Sequence, residues 1–416
     1  MQSLLLRYFG GRFISATRGI VEFLIFPVLI LVAGISRLFR RRVDVGLGPE
    51  PLVNNVYHKR ALAKYGYTAE TFVTSLYFIT QDFDYKFVYR NPFVRLFAPM
   101  AIFCWALFRF KCLYIYFNGG ALYNTVWLWR FEPFLLRLAG VGVVVMPYGS
   151  DVQCLDRCPN LLFRHVMAQD YPGQRHRQRI IKRKIDLWSA KASHVIAGCD
   201  WVDYLHYWDT LMLAHFSIDT EIWSAAKDGG EDSAHGSVRP LRVLHAPNHR
   251  QIKGSGYILR AVEELKAEGV PIDLVLAERL PNEKIRELMR GVDVVADQLI
   301  IGWYAMFALE AMSLGKPVLC YLRNDLKQLY INAGLVADDG IPIINCTPST
   351  IKDTLRRLAA DRASLHDIGR QGREFVEKHH SLKAIGETFD RINRSLGVIP
   401  HGLLIENNDS VKRKNS

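Results

Sequence analysis

Apolar positions along the chain fall into short runs separated by stretches with helical spacing. In the first half the runs are Val43 to Leu47, Phe72 to Ser75, Leu113 to Phe117, Gly142 to Pro147 and His194 to Ala197. Each is short, rich in β-branched or aromatic residues, and reads as a buried strand; helices intervene, one from about Asn55 to Lys64. The alternation predicts a parallel, doubly wound sheet. A polar stretch from Lys227 to Gly236 contains no strong core residue and reads as a linker, placed at 227–238. Alternation then resumes with Arg242 to His245, Ile272 to Ala277, Val292 to Ala296, Val318 to Tyr321 and Ile341 to Ile344. The pattern therefore predicts two Rossmann-like α/β halves, 43–226 and 239–385, facing a cleft. A final helix comes next at about Leu382 to Leu396, and the polar, basic tail 401–416 is expected to be disordered.

The stretch Gly302 to Tyr321 organises the second half. Phe307, Leu309, Ala311, Met312 and Leu314 lie among good helix formers, and Gly315 and Pro317 stop the helix. Strand, loop, short helix and strand place Tyr304, Ala305 and Met306 at the carboxyl edge of the sheet. There the helix's free N–H groups and positive dipole end favour an anion. Glu310, farther into the helix, is placed to accept hydrogen bonds from hydroxyls, so that phosphate and diol together describe a nucleotide; a solvated carboxylate on a surface helix fits the same residues. The turn after Arg242 to His245 holds Arg250, Lys253, Gly254 and Gly256, two cations and two glycines able to close round a diphosphate. In the first half, Asn118-Gly119-Gly120 and Tyr148-Gly149-Ser150-Asp151 each come directly after a strand, where glycine permits close approach of a ligand to the backbone. Asp151 serves equally well as a helix N-cap.

Ala311, Met312, Gly315, Pro317 and Val318 resemble the signature of retaining GT-B glycosyltransferases of the large group 1 family, family 4. The resemblance implies that Glu310 holds the nucleotide ribose and that Arg250 and Lys253-Gly254 meet the diphosphate. It also implies that 386–400 forms a helix crossing back onto the first domain. The family's first motif Glu, which grips the donor sugar, is Gly302 here, and Gln298 is the nearby polar side chain able to replace it. Gly119, Gly120, Tyr148 and Gly149 correspond to the acceptor-side loops. Tyr148 stands where the family has His, which leaves Asp151 to orient the acceptor hydroxyl.

Composition adds a membrane. Residues Gly19 to Ile35 are apolar except for Glu22, and Arg37, Arg40, Arg41 and Arg42 come immediately after; arginines there oppose translocation of the chain beyond them. Residues 1–42 are accordingly expected to anchor the chain, across the bilayer or re-entrant at Pro27, with the catalytic domains on the cytoplasmic face; a buried core helix is the other reading. Phe97 to Phe108, flanked by Arg95, Arg109 and Lys111, is too short to span and suits a helix in the membrane interface or the core of a sugar-binding domain. Contacts through 18–42 and 97–111 would bring the enzyme to a lipid-linked or glycan acceptor. The basic run Arg175 to Lys184 reads as a solvated face or a headgroup contact.

The net charge of +12 comes without a basic low-complexity tract, so no nucleic-acid partner is expected. Seven cysteines without repeating spacing read as free thiols; Cys154 and Cys158 lack a second ligand pair, and Asp82-Phe83-Asp84 lacks the context of a metal-bound sugar nucleotide. No metal or other cofactor is expected. Together these features describe a membrane-attached retaining glycosyltransferase using a nucleotide-sugar donor for a polysaccharide- or lipopolysaccharide-type acceptor. The alternative is a non-catalytic GT-B-fold scaffold at the membrane.

Overall fold

The computed structural model describes residues 2–77, 80–224 and 239–400, with side chains from Ala16 onward. The first half contains helices α1 (Gln2–Ser36), α2 (Val53–Ala63), α3 (Pro92–Arg109), α4 (Glu132–Ala139), α5 (Leu161–Asp170) and α6 (Gln178–Lys191). Its strands are β1 (Val43–Leu47), β2 (Ala69–Val73), β3 (Tyr85–Lys86), β4 (Phe110–Tyr116), β5 (Gly142–Met146), β6 (His194–Gly198) and β7 (Thr210–Met212). The second half has helices α7 (Arg250–Lys253), α8 (Ser255–Ala267), α9 (Asn282–Arg290), α10 (Met306–Ser313), α11 (Asn324–Asn332), α12 (Ile351–Ala360), α13 (Ala363–His379) and α14 (Leu382–Ser395). Its strands are β8 (Leu241–His245), β9 (Ile272–Leu276), β10 (Val294–Ala296), β11 (Val318–Cys320) and β12 (Ile344–Asn345).

Seven strands form one sheet in the order β3-β2-β1-β4-β5-β6-β7, and five form another in the order β12-β11-β10-β8-β9. Every pair is parallel. Strand order reverses between β1 and β4 in the first sheet and between β8 and β10 in the second, and open α/β sheets bind ligands at such switch points. Both faces of the first sheet are covered, as continuous apolar strands require. Leu113, Ile115, Val143 and Val145 meet Phe103 and Leu107 of α3 and Leu135 of α4. Tyr114, Tyr116, Val144 and Met146 meet Phe389 and Ile392 of α14. The last helix, expected from about Leu382 to Leu396 and found at Leu382–Ser395, thus completes the core of the first domain. Gly386 permits this docking: a Cβ there would lie 2.6 Å from the Ala61 carbonyl oxygen of α2.

Several expectations need correction. Strands β3 and β7 carry two and three residues, too few to show a pattern, and only Ile344 of the run Ile341 to Ile344 is in a strand. α3 begins five residues before Phe97 because Asn91 accepts hydrogen bonds from the Phe93 and Val94 amides and Pro92 opens the first turn; at 18 residues it reaches the length of a span. α1 is not a segment apart from the first domain. Leu29 and Ala33 lie in that domain's core, and Glu22 is buried, accepting from the Val126 and Trp127 amides at 2.7 and 2.9 Å. The one acid in the apolar run is therefore a structural cap. The outward face of α1 carries Ile20, Phe23, Leu24, Val28 and Leu31, all exposed. Lys184, read as part of a solvated basic run, is buried and bonds the Asn118 and Tyr123 carbonyls. The linker 227–238 and the tail 401–416 lie outside the described residues.

Candidate functional site

The carboxyl edges of the two sheets face each other, and between them lies a cavity of about 330 Å³. The first domain contributes Tyr148, Gly149 and Asp200, and the second contributes His249, Gln298, Tyr304 and Ala305. Helix α10 opens at Ala305, which lines the cavity and offers no side-chain cap, so the positive end of the helix dipole lies at the cleft. Gly315, at φ 72°, ends the helix: its amide bonds Met312 O and the Lys316 amide bonds Ala311 O. Gln298 is almost fully buried and its Oε1 has no partner among the described residues, as is true of Asp297 Oδ2 beside it. Buried acceptors without donors are rare, and of these two residues Gln298 lines the cavity.

At the second domain's switch point, Lys253 Nζ pairs with the buried Asp297 across the β8 and β10 loops. Gly254, at φ 77°, lets the turn pass close to Leu299, whose Cβ would lie 3.2 Å from an added Cβ. Arg250 turns outward to Glu278 in an exposed pair and does not line the cavity. Glu310 is nearly buried, accepts from Asn282 Nδ2 at 3.1 Å, and is pushed up to about 8 by burial. It is therefore not the solvated carboxylate of a surface helix. It lies outside the cavity lining, as do Met306, Gly302 and Lys253. Tyr304 lines the cavity, yet its hydroxyl is buried against His380 Nε2 at 3.0 Å.

The first domain's switch point holds a polar network that the sequence did not disclose. Asn118 Nδ2 donates to Glu50 Oε1 at 2.7 Å and to the Tyr148 hydroxyl at 2.8 Å. Lys184 Nζ donates to Asn118 O at 2.7 Å, and burial lowers Lys184 to about 8. Glu50 lies just after β1 in Gly48-Pro49-Glu50-Pro51, whose glycine and prolines at a strand end are the one sequence signal for it. Gly119 and Gly120 do admit a close neighbour, but it is the protein's own Glu132: the Gly120 amide donates to it at 3.0 Å, and a Cβ at 120 would lie 2.6 Å from Oε1.

The expectation for Asp151 is corrected as well. Its carboxylate is fully buried, accepts from the Phe117, Tyr148 and Gly149 amides at 2.9 to 3.0 Å, and offers no oxygen to an acceptor. The carboxyl that does face the cavity is Asp200, which burial pushes up to about 7. It is preceded by Cys199, held at φ 56° with its carbonyl accepting from the Tyr330 hydroxyl of the second domain. A left-handed non-glycine residue at a cleft is a place where backbone strain serves position.

No protein-family model matches the sequence, and no curated protein is significantly similar to it in sequence. Solved structures match along almost their whole length. Sucrose-phosphate synthase from Thermosynechococcus elongatus aligns at a TM-score of 0.57 and 14% identity, over 85% of this chain and 99% of that one. HepE from Anabaena, solved with UDP and with UDP-glucose, aligns at 0.55 and 12% identity, over 85% and 100%. The chain has the GT-B fold. In this GT-B chain the cavity and both switch points therefore lie in the cleft between the two Rossmann-like halves. Among the described residues no group of three or more His, Cys, Asp or Glu is arranged to hold a metal ion. Asp84 of the Asp-x-Asp pattern is occupied by the Thr71 amide and hydroxyl, each at 2.8 Å.

Proposed function

We propose that the protein is a glycosyltransferase that moves a sugar from a nucleotide donor to a glycan acceptor carried at the membrane. The observation that carries this reading is the interdomain cavity, where the uncapped start of α10 meets the unsatisfied, buried Gln298 Oε1. The amides suit a diphosphate and Gln298 suits a sugar hydroxyl. HepE was solved with UDP and UDP-glucose, which makes UDP the first nucleotide to test here.

In this mechanism the donor diphosphate lies between the α10 amides and the turn bearing Lys253, and draws Lys253 from Asp297 as charge grows on the leaving group. The resemblance gives the ribose to Glu310, which lies outside the observed cavity lining, so the nucleoside must reach past that lining to meet it. Asp200, in place of Asp151, orients the acceptor hydroxyl as a hydrogen-bond partner, and the hydroxyl's proton passes to the departing diphosphate as the new glycosidic bond forms. Front-face attack assisted by the departing diphosphate would yield retention without a covalent enzyme intermediate. The outward apolar faces of α1 and α3 seat the enzyme in the bilayer interface, with the arginines after α1 on the cytoplasmic side. No metal enters this scheme.

A screen of UDP- and GDP-sugars for released nucleoside diphosphate tests the reading: release with at least one donor is expected. A scaffold role is favoured by one observation, that Arg323 occupies the space beside Gly302 where the family's sugar-binding Glu would project. A protein that binds no nucleotide at all would be that scaffold.

A further inference from the structure

A second and larger cavity, about 980 Å³, lies on the first domain between α1 and α3. Its walls are apolar and aromatic, with Phe87, Tyr89, Phe93 and Ile102 among them, and it carries two cations, Arg18 from α1 and Arg95 from α3. Among the described residues no carboxylate lines it. Arg18 lines the cavity and its Nη2 bonds the Asn124 carbonyl at 2.9 Å. Arg95 is exposed and forms no ion pair with a described residue. The helices that frame this groove present the exposed Phe23, Leu24, Leu31, Phe93 and Phe97, and Phe39 of the segment after α1 packs edge-on against Phe108 of α3 at 5.4 Å. A surface this apolar on two adjacent helices is one that meets lipid.

The groove also reaches the sheet edge. Thr74 and Ser75 come after β2, and Tyr123 and Asn124 come after β4, so its inner end lies at the same carboxyl edge as the cleft. Tyr123 contacts the Thr74 hydroxyl at 3.3 Å, and its carbonyl accepts from Lys184, which holds Asn118, which holds Tyr148 of the cleft cavity. A chain of hydrogen bonds thus joins the lining of the groove to that of the cleft cavity.

We propose that this groove binds the lipid phosphate of a lipid-linked acceptor, with Arg18 and Arg95 meeting the phosphate and the first units of the lipid chain lying along the aromatic wall. Positive charge and an apolar channel fit a phosphorylated lipid, and their position lets its glycan head extend into the cleft. The proposal rests on the transferase reading for its purpose but not for its test.

Full-length protein should bind phosphatidylcholine nanodiscs containing a polyprenyl phosphate more tightly than nanodiscs with phosphatidylglycerol at equal charge. The double variant Arg18→Gln/Arg95→Gln should lower that affinity about tenfold or more, the size expected for charge-assisted bonds. Arg40→Gln/Arg42→Gln, equal in charge but outside the groove, should keep the preference. Arg95→Gln alone, which breaks no described structural contact, should show part of the loss at unchanged Tm. Equal binding to the two anionic nanodiscs, full displacement by inorganic phosphate, or an unaffected Arg18/Arg95 variant would overturn the proposal. UDP and GDP binding measured in parallel separates the two ideas: a polyprenyl phosphate preference without binding of either nucleotide sinks the transferase reading and leaves the groove. UDP binding without the preference does the reverse.

Discussion

Arg323 lies with its aliphatic stem across Gly302, so that a Cβ at 302 would come within 2.6 Å of Arg323 Cδ, while the Arg323 amide donates to the Gly302 carbonyl at 2.9 Å. The guanidinium is held by Asp203 of the first domain and by Asp325. The position at which the resembling motif has Glu is thus a rebuilt corner, and Gly302 at φ 99° is strained for any side chain.

Restoring the motif should therefore fail. Gly302→Glu is expected to destabilise the protein by at least about 1 to 3 kcal/mol from backbone strain alone, and further by displacing Arg323 from its buried partner. Thermal unfolding and donor titration check this together. A variant as stable as wild type with tighter donor binding would contradict the account.

Lys253 has two duties that can be separated. Lys253→Met leaves Asp297 buried without a cation and should lower both stability and turnover. Adding Asp297→Asn should recover most of the stability but leave turnover reduced by about 10² to 10³, the loss typical of one preorganised electrostatic contact. Recovery of turnover with stability would mean that Lys253 only neutralises Asp297.

Burial raises Glu310 from the ordinary 4.5 to about 8. The folded protein therefore keeps a proton that the unfolded chain releases, and stability from this group is full below about pH 4.5 and lost as pH rises through about 8. Glu310→Gln, which imitates the protonated form, should flatten part of the fall in Tm between pH 5 and 8. It should cost nucleotide affinity little at pH 6.5 and about tenfold at pH 9, where the wild type offers a carboxylate to the ribose. Equal effects at both pH values would place the ribose elsewhere.

The strands were legible because buried parallel strands are continuous apolar runs, and their ends located the loops at the cleft. Side-chain roles within those loops were less legible. Asp151 and Asp200 both lie just past strands, and only tertiary structure shows that three backbone amides claim the first while the second faces the cavity. Glu50 and Asn118 meet across 68 positions, a proximity that sheet order creates and local sequence does not record. Lys184 was hidden in a basic run because its burial depends on α6 packing against the first domain.

Membrane binding should depend on the outward face of α1 and not on its presence as a separable anchor. Phe23→Glu with Leu31→Lys should move the full chain from the membrane pellet to the supernatant with little change in Tm, because both side chains are exposed. Removing residues 1–42 should instead cause aggregation, since Leu29, Ala33 and Glu22 belong to the first domain's core and loop caps. A soluble, folded truncated protein would restore the simple anchor.

The central claim is that the interdomain cavity binds a nucleotide sugar with its diphosphate at α10 and its sugar at Gln298. Calorimetry with UDP and UDP-glucose, on wild type and Gln298→Leu, tests it most directly. The account predicts that wild type binds both ligands, and that Gln298→Leu keeps UDP affinity while losing the increment contributed by glucose. Failure of the wild type to bind UDP or any other nucleoside diphosphate would contradict it.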